Sequence, residues 1–544
     1  MTSHSSVLRD FSVDRRVWLL SAVALLIGAG AAVLAALLLR CIALSTNLFY
    51  FHRFSFAQVP PAGSPLGLWM ALVPVAGGLL VGLMARYGSD KIRGHGIPEA
   101  IEAILLHGAR VEPQIAVLKP ISAAIAIGSG GPFGAEGPII MTGGAFGSLV
   151  AQWVKLTDAE RATLLVAGAA AGMSATFAAP LAAVLLAVEL LLFEWRPRSL
   201  VPVAFASATA AVLRVYLLGV GPIFAMPSSF SVAAANSALP LEALGIGLLV
   251  GVAATVLSRM MYGFEDLFGH FRLHWMWWPA IGGLGIGIGG IFFPRGLGVG
   301  YENIGELLRG NAPMGLILGL LIAKSLMWAF SLGSGTSGGV LAPILMIGGA
   351  LGELLAVLVH ASTQTQALCA LVGMGAMLSG SLGVPLTAIV FSLELTHCLP
   401  AILPLTIACF AAHVVTSLVM PRSILTEKLG RRGFHLTREY GVDPLEMISV
   451  MEVMPEPDDE PVLVSAASSS EDFAFTDEPC REVAERMAVS GVHSMPVLDR
   501  QTRAILGTVS VQDLLRGRRK SVQRESHRLR VFGNRKELAS ERDM

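Results

Sequence analysis

The sequence predicts an all-α polytopic membrane protein of two inverted-topology repeats with broken and re-entrant helices, followed by a small α+β domain. Three observations carry this. Of 544 residues, 54% are hydrophobic and 14% charged, against about 25% charged in an ordinary soluble protein. The 39 basic and 39 acidic residues are unevenly spread: 33 lie in 441–544, leaving 45 for the first 440. Finally, one set of residues recurs at a fixed offset. The charge-poor body excludes a single soluble globule, a disordered chain and a basic nucleic-acid binder.

The first element is a span over 17–39, free of charge and long enough to cross a bilayer, which takes about 20 residues. It exceeds the apolar core of a signal peptide. Arg9, Arg15 and Arg16 precede it and predict a cytoplasmic end. A second span covers 66–85. Further apolar stretches run over about 199–217, 243–257, 279–293, 314–332, 339–359 and 400–420. Arg422, Lys428, Arg431 and Arg432 flank the last of them, predicting that both termini are cytoplasmic. The run His274–Trp278 reads as an interfacial aromatic belt. Between the spans, 97–106, 120–127, 138–154 and 180–193 are too short to cross alone, and Gly and Pro separate them. Irregular backbone at membrane depth is tolerated only where protein or a water-filled cavity surrounds it. Close packing through small residues accounts for many of the 59 glycines.

Gly128-Ser129-Gly130 recurs as Gly333-Ser334-Gly335, an offset of 205. The same offset carries Lys119 to Lys324, Gly134 to Gly339, Pro138 to Pro343, Gly143-Gly144-Ala145 to Gly348-Gly349-Ala350, Pro180-Leu181 to Pro385-Leu386 and Glu189 to Glu394. The body is therefore two related halves. Halves with helices interrupted at matching positions point to a transport site at their interface.

Each repeated loop ends in Gly-x-x-x-Pro, at Gly134–Pro138 and Gly339–Pro343. Proline suits the first helical turn. The free N–H groups there, with about half a positive charge from the aligned dipoles, bind an anion without a fixed cation. Glu136 lies inside the first loop. Ionised, its carboxylate is itself the anion a helix start attracts; protonated, it leaves the site free. That makes a gate. A structural glutamate satisfying the helix terminus is the other reading.

At these residues the sequence resembles the CLC family of chloride channels and chloride/proton antiporters, over roughly 15–432. The family signatures Gly-Ser-Gly-Ile-Pro, Gly-Arg-Glu-Gly-Pro and Gly-x-Phe-x-Pro appear as Gly94-His95-Gly96-Ile97-Pro98, Gly134-Ala135-Glu136-Gly137-Pro138 and Gly339-Val340-Leu341-Ala342-Pro343. The resemblance implies a homodimer with one anion pathway per subunit. It places Glu136 on the external gating glutamate and the backbone amides of Glu136, Gly137, Val340 and Leu341 on the anion ligands.

Several positions depart from the pattern. His95 replaces the serine at the central anion; it either donates an N–H to the ion or turns away, leaving the Gly96 and Ile97 amides to act. Leu341 replaces the phenylalanine of the third loop. In Ser423–Leu429, Leu425 stands where the family has its inner tyrosine. The anion and the inner gate therefore stay open. Antiporters of the family carry an inner glutamate for proton relay, and Leu190 falls there, with Glu189 beside it and Glu194 one turn on. Glu189 and Glu194 are read as either proton path or structure. Lys119 falls on a family lysine and is read as raising anion occupancy electrostatically, with snorkelling to an interface as the other reading. A dinucleotide loop at Gly128–Gly134 is set aside, because its spacing is wrong and no βαβ unit surrounds it.

In the tail, 455–460 and 465–470 read as linker, Cys480–Ser490 as helix, 495–499 and 504–509 as strands, and Ser510 as the cap of another helix with Asp513 at its acidic position. This order resembles a CBS domain, with 443–454 resembling the start of another. The resemblance implies adenine-nucleotide sensing through Ser510 and Asp513, and a structural domain is the other reading. The expected division is a cytoplasmic N-terminus over 1–14, a transport domain over 15–432, a linker with a partial CBS unit over 433–470, a CBS-like unit over 471–517 and a basic disordered tail over 518–544. Contact of those basic residues with anionic lipid is the alternative to disorder. The five cysteines lack CxxC spacing and read as packed thiols, without metal.

The function expected is transport of chloride or a similar small anion through a midplane site gated by Glu136, in an inner or plasma membrane. Proton-coupled chloride exchange is one alternative. A membrane-anchored sensor acting through the tail is another. An intramembrane enzyme would need a nucleophile–base or metal pair such as HExxH, and no such pair is visible, so neither catalysis nor a cofactor is expected.

Overall fold

The computed structural model describes residues 15–224, 226, 239–434, 443–455, 462–463, 473–500, 502 and 504–529. The N-terminal 1–14 with Arg9, the linker residues 456–460 and 465–470, and Arg530, Arg535 and Lys536 lie outside them. The chain divides into two compact units, 1–438 and 439–544.

Among the described residues, the regular elements of the first unit are helices. In order, its helices are α1 (Arg16–Phe51), α2 (Val73–Tyr87), α3 (Ile97–Leu106), α4 (Pro113–Gly128), α5 (Glu136–Gln152), α6 (Asp158–Phe177), α7 (Pro180–Leu186, extended by a π turn, Ala187–Leu192), α8 (Pro197–Leu218) and α9 (Leu239–Gly269). There follow α10 (Trp278–Phe292), α11 (Tyr301–Leu307), α12 (Met314–Leu318, continued by a π turn, Gly319–Lys324), α13 (Ser325–Gly333), α14 (Leu341–Leu358), α15 (Thr363–Leu382), α16 (Pro385–Thr396), α17 (Ile402–Val419) and α18 (Glu427–Arg431). Among the described residues, nine helical segments are long and apolar enough to cross a membrane. The first is longer than its charge-free core: α1 has 36 residues, about 54 Å at 1.5 Å each.

The short apolar segments form the broken helices α3, α4, α5 and α7. Thr363–Leu382 is also a full-length helix, although it was not among the expected spans. Its glycines and serines dilute its hydropathy, and nearly all of it is buried against protein, so it needs no lipid-facing apolar surface. Its repeat mate α6 starts in a capping box, Thr157 with Glu160. At α15 the Ser362 hydroxyl accepts from the Thr365 N–H at 3.3 Å.

The repeat reaches beyond the residues that reveal it in sequence. The starts of α2 and α10, α5 and α14, α6 and α15, α7 and α16, and α8 and α17 each differ by 205. The starts of α3 and α11 differ by 204. From Pro113 to Lys119 is six residues, and from Pro313 to Lys324 eleven. One added α turn of about 3.6 residues leaves a residue over, and the π turn Gly319–Lys324 takes it up.

The second unit has α19 (Pro444–Met447), α20 (Val450–Val453), β1 (Val462–Leu463), β2 (Ala474–Phe475), α21 (Cys480–Ser490), β3 (Ser494–Leu498), β4 (Ala504–Ser510) and α22 (Val511–Leu529). The sheet order is β1-β4-β3-β2, with β2 parallel to β3 and β3 antiparallel to β4. Its core gathers Val450, Val483, Met495, Val497, Val509 and Leu514. One expectation changes: α22 continues to Leu529, so the basic stretch from Arg518 is helical that far rather than disordered.

Candidate functional site

Three irregular segments meet inside the first unit. Gly134 N–H donates to Gly339 O at 3.1 Å, and Gly339 N–H donates to Gly134 O at 2.8 Å, an isolated antiparallel bridge. It sets the start of α5, at Glu136, against the start of α14, at Leu341. The first loop joins them: Gly94 N–H donates to Gly335 O at 3.3 Å and Gly338 N–H to Gly94 O at 3.4 Å. A Cβ on Gly137 would stand 2.2 Å from His95 O and 3.2 Å from Gly339 Cα. Glycine is what lets the three backbones close. Gly96, at φ 87°, turns the chain into α3 through a conformation that suits glycine. The residues Gly96, Ile97, Glu136, Gly137, Val340 and Leu341 thus sit at three neighbouring helix starts, where N–H groups lack intrahelical acceptors.

The Glu136 side chain is fully buried. Its Oε1 accepts from the Tyr301 hydroxyl at 3.2 Å. Its Oε2 lies over the glycine bridge, where a Cβ on Gly339 would be 3.0 Å away. The carboxylate also approaches the Ala342 N–H of α14. One carboxylate therefore spans the starts of both helices.

Two buried lysines brace this frame. Lys119 Nζ donates to Ile92 O at 2.8 Å and Gly94 O at 2.7 Å. Its mate Lys324 donates to Gly296 O at 3.2 Å, Gly298 O at 3.1 Å and Val299 O at 3.2 Å. Each holds the loop that ends in a short helix, α3 or α11. Lys119 is thus a loop clamp, its charge turned to carbonyls, and it does not snorkel.

His95 is buried, and its Nδ1 has no hydrogen-bond partner among the described residues. It lines a cavity of about 520 Å³, together with Arg93, Glu99, Met141, Tyr262 and Lys428. Lys428 Nζ bonds Glu99 Oε1 at 2.6 Å, and Arg432 pairs with Glu102. Leu425 is buried in the apolar core. The nearby phenol of Tyr262 is committed to Ile424 O at 2.5 Å. Arg93 stacks on Trp275 at 4.8 Å, so part of the aromatic run packs inward.

The candidates for a proton path lie elsewhere. Glu189 accepts from Leu386 N–H at 3.2 Å, Thr387 N–H at 2.8 Å and the Thr387 hydroxyl at 2.6 Å. Glu394 does the reverse, accepting from Leu181 N–H at 3.0 Å and Ala182 N–H at 2.8 Å. Each carboxylate caps the proline-led helix of the other half. Leu190 is buried. Glu194 accepts from Ser199 Oγ at 2.8 Å and faces Arg198 at 3.4 Å, fixing the entry to α8. In the tail, Ser510 Oγ bonds Asp513 Oδ2 at 2.5 Å, so the two polar groups are engaged at the start of α22. Burial pushes the Cys480 thiol up to about 11. Among the described residues no cluster could hold a metal ion.

Sequence reasoning missed Tyr301. The signal was present: Gly298-Val299-Gly300 repeats Gly94-His95-Gly96, but at an offset of 204.

The model of a family described as voltage gated chloride channel matches residues 77–417. A ClcB-like chloride channel protein of Ralstonia nicotianae is 31% identical over 373 residues, 67% of this chain and 86% of that one. The H(+)/Cl(-) exchange transporter ClcA of Citrobacter koseri is 32% identical over 378 residues, 66% of this chain and 77% of that one. Among solved structures, a slow cyanobacterial Cl-/H+ antiporter superposes with a TM-score of 0.67 over 77% of this chain and 99% of that one, at 24% identity, a likeness of fold.

Proposed function

The chain belongs to the voltage-gated chloride channel family, a multi-pass membrane protein that transports small anions, and we propose that Glu136 is its gate. The observation carrying this reading is the position of the Glu136 carboxylate, over the Gly134–Gly339 bridge and between two opposed helix starts. A transported anion would be held by the same amides of Glu136, Gly137, Val340 and Leu341. Dipoles bind an ion without the grip of a fixed charge, so it can also leave. Proton on, the carboxylate gives up the site; proton off, it plugs it.

The experiment is anion flux into liposomes for the natural chain and for Glu136→Gln. Glu136→Gln carries flux without pH dependence. A variant that keeps normal pH-dependent flux makes Glu136 structural.

The finer features belong to the same reading. The protein works as a homodimer in an inner or plasma membrane, with both termini cytoplasmic and one pathway per subunit. His95, lining the cavity with a free Nδ1, contributes the central anion contact, with Gly96 and Ile97 beside it and Leu425 leaving the inner end without a hydroxyl. Proton-coupled exchange is the second reading of mechanism, supported by the 32% identity to a relative named as an exchange transporter. It would need a proton route other than Leu190. Reversal potentials in a pH gradient separate the two, because a channel leaves them proton-insensitive. The tail is a CBS-like unit, supported by its strand–helix–strand–strand–helix order. A nucleotide ribose would have to displace the Ser510–Asp513 bond, which favours a structural role for it.

A further inference from the structure

We propose that Tyr301 is a positioning residue for the gate: its hydroxyl, delivered by the second half of the molecule, latches Glu136 in the plugged position. This rests on the reading of Glu136 as gate.

The geometry is built up from the chain. Lys324 gathers the carbonyls of Gly296, Gly298 and Val299, which fixes the loop before α11. Gly300, at φ 77°, then turns the chain into the helix. A Cβ there would stand 3.1 Å from Lys324 Nζ, so the turn lies directly on the clamp. Tyr301 is the first residue of α11. Phe224 packs edge-on against its ring at 5.7 Å, and the Phe224 N–H is itself tied to Leu395 O at 3.2 Å. With loop and ring both held, the hydroxyl meets Glu136 Oε1 at 3.2 Å.

The first half builds the same device from Lys119, Gly96 and α3, but places Ile97 at the equivalent position. The apolar residue cannot donate. The latch is therefore one-sided, and acts on the one half that carries a glutamate in its helix start. The ionisable groups facing Glu136 are Tyr301 on α11 and, through space, Lys324 in the π turn; α14 presents the Ala342 amide. Glu302 in turn faces Lys324. A hydroxyl hydrogen bond favours the ionised carboxylate over the protonated one, which is the plugged form.

Tyr301→Phe removes one oxygen and keeps the ring against Phe224. Proton-dependent flux in liposomes, read over a pH series, is expected to reach half-maximum about one pH unit higher than in the natural chain. On the Glu136→Gln background, which has no pH midpoint, Tyr301→Phe leaves the flux rate unaltered. Phe224→Leu, which loosens the ring and leaves the hydroxyl, shifts the midpoint the same way by less. An unchanged midpoint in both single variants, while Glu136→Gln is pH-insensitive, overturns the latch and leaves the gate standing. A change of flux rate by Tyr301→Phe that is as large on the Glu136→Gln background as in the natural chain also overturns it. Normal pH dependence in Glu136→Gln is a failure of the gate itself.

Discussion

Lys119 and His95 show how much a single side chain fixes here. An ammonium excluded from water is costly unless its donors are used, and Lys119 uses them on Ile92 O and Gly94 O. Lys119→Met leaves two buried carbonyls unpaired, a loss on the order of 2–4 kcal/mol. The expected outcome is earlier thermal unfolding in detergent together with slower anion turnover, because the first loop is no longer held against Gly335. Turnover at the natural rate in a destabilised Lys119→Met protein would detach the clamp from the site. His95 has an open Nδ1 instead. If that nitrogen carries the central anion contact, His95→Ala weakens chloride binding about tenfold, the worth of one hydrogen bond to a charge. A binding isotherm measures it. An unaltered isotherm assigns the contact to the Gly96 and Ile97 amides.

At the scale of elements, the two halves are joined by reciprocal caps. Glu189 closes the start of α16 with three hydrogen bonds and Glu394 the start of α7 with two. A lost cap costs about 1 kcal/mol, so Glu189→Ala is expected to lower thermal stability by about that much or slightly more, and Glu394→Ala by less. Proton movement should be unaffected. A Glu189→Ala protein of full stability that has lost proton movement would instead put the carboxylate on a proton path. Both caps were half legible in the sequence. The offset of 205 paired Glu189 with Glu394, but it does not tell that each reaches across to the helix of the other. Helix starts were the most legible elements, since Gly-x-x-x-Pro writes them directly. The start of α11 was not, because it lacks the proline and its register slips by one residue, absorbed in a π turn that no local residue pattern announces. The α15 span escaped for another reason: a helix surrounded by protein is free to carry Gly and Ser where a lipid-facing one carries Leu.

For the whole molecule, the division into two units makes the last prediction. Every group around Glu136 and His95, from Ile92 to Arg432, lies in the first unit, as do Lys119, Lys324 and Tyr301. The apolar core around the site draws on Leu20 through Leu429. The tail has its own core around Val450, Val497 and Val509. A chain ending at residue 438 is therefore expected to insert, to carry anions in liposomes and to keep the pH dependence that Glu136→Gln abolishes. The sensor alternative expects the reverse, with activity residing in 439–544 and surviving disruption of the repeated loops. Gly137→Val tests that side in the full chain. Its side chain has no room between His95 O and Gly339, so the three backbones part and flux falls by an order of magnitude or more, while the tail keeps its fold. Flux lost from a well-folded 1–438 protein would make the tail part of the transport machinery; flux undiminished by Gly137→Val would take the anion path away from the helix starts.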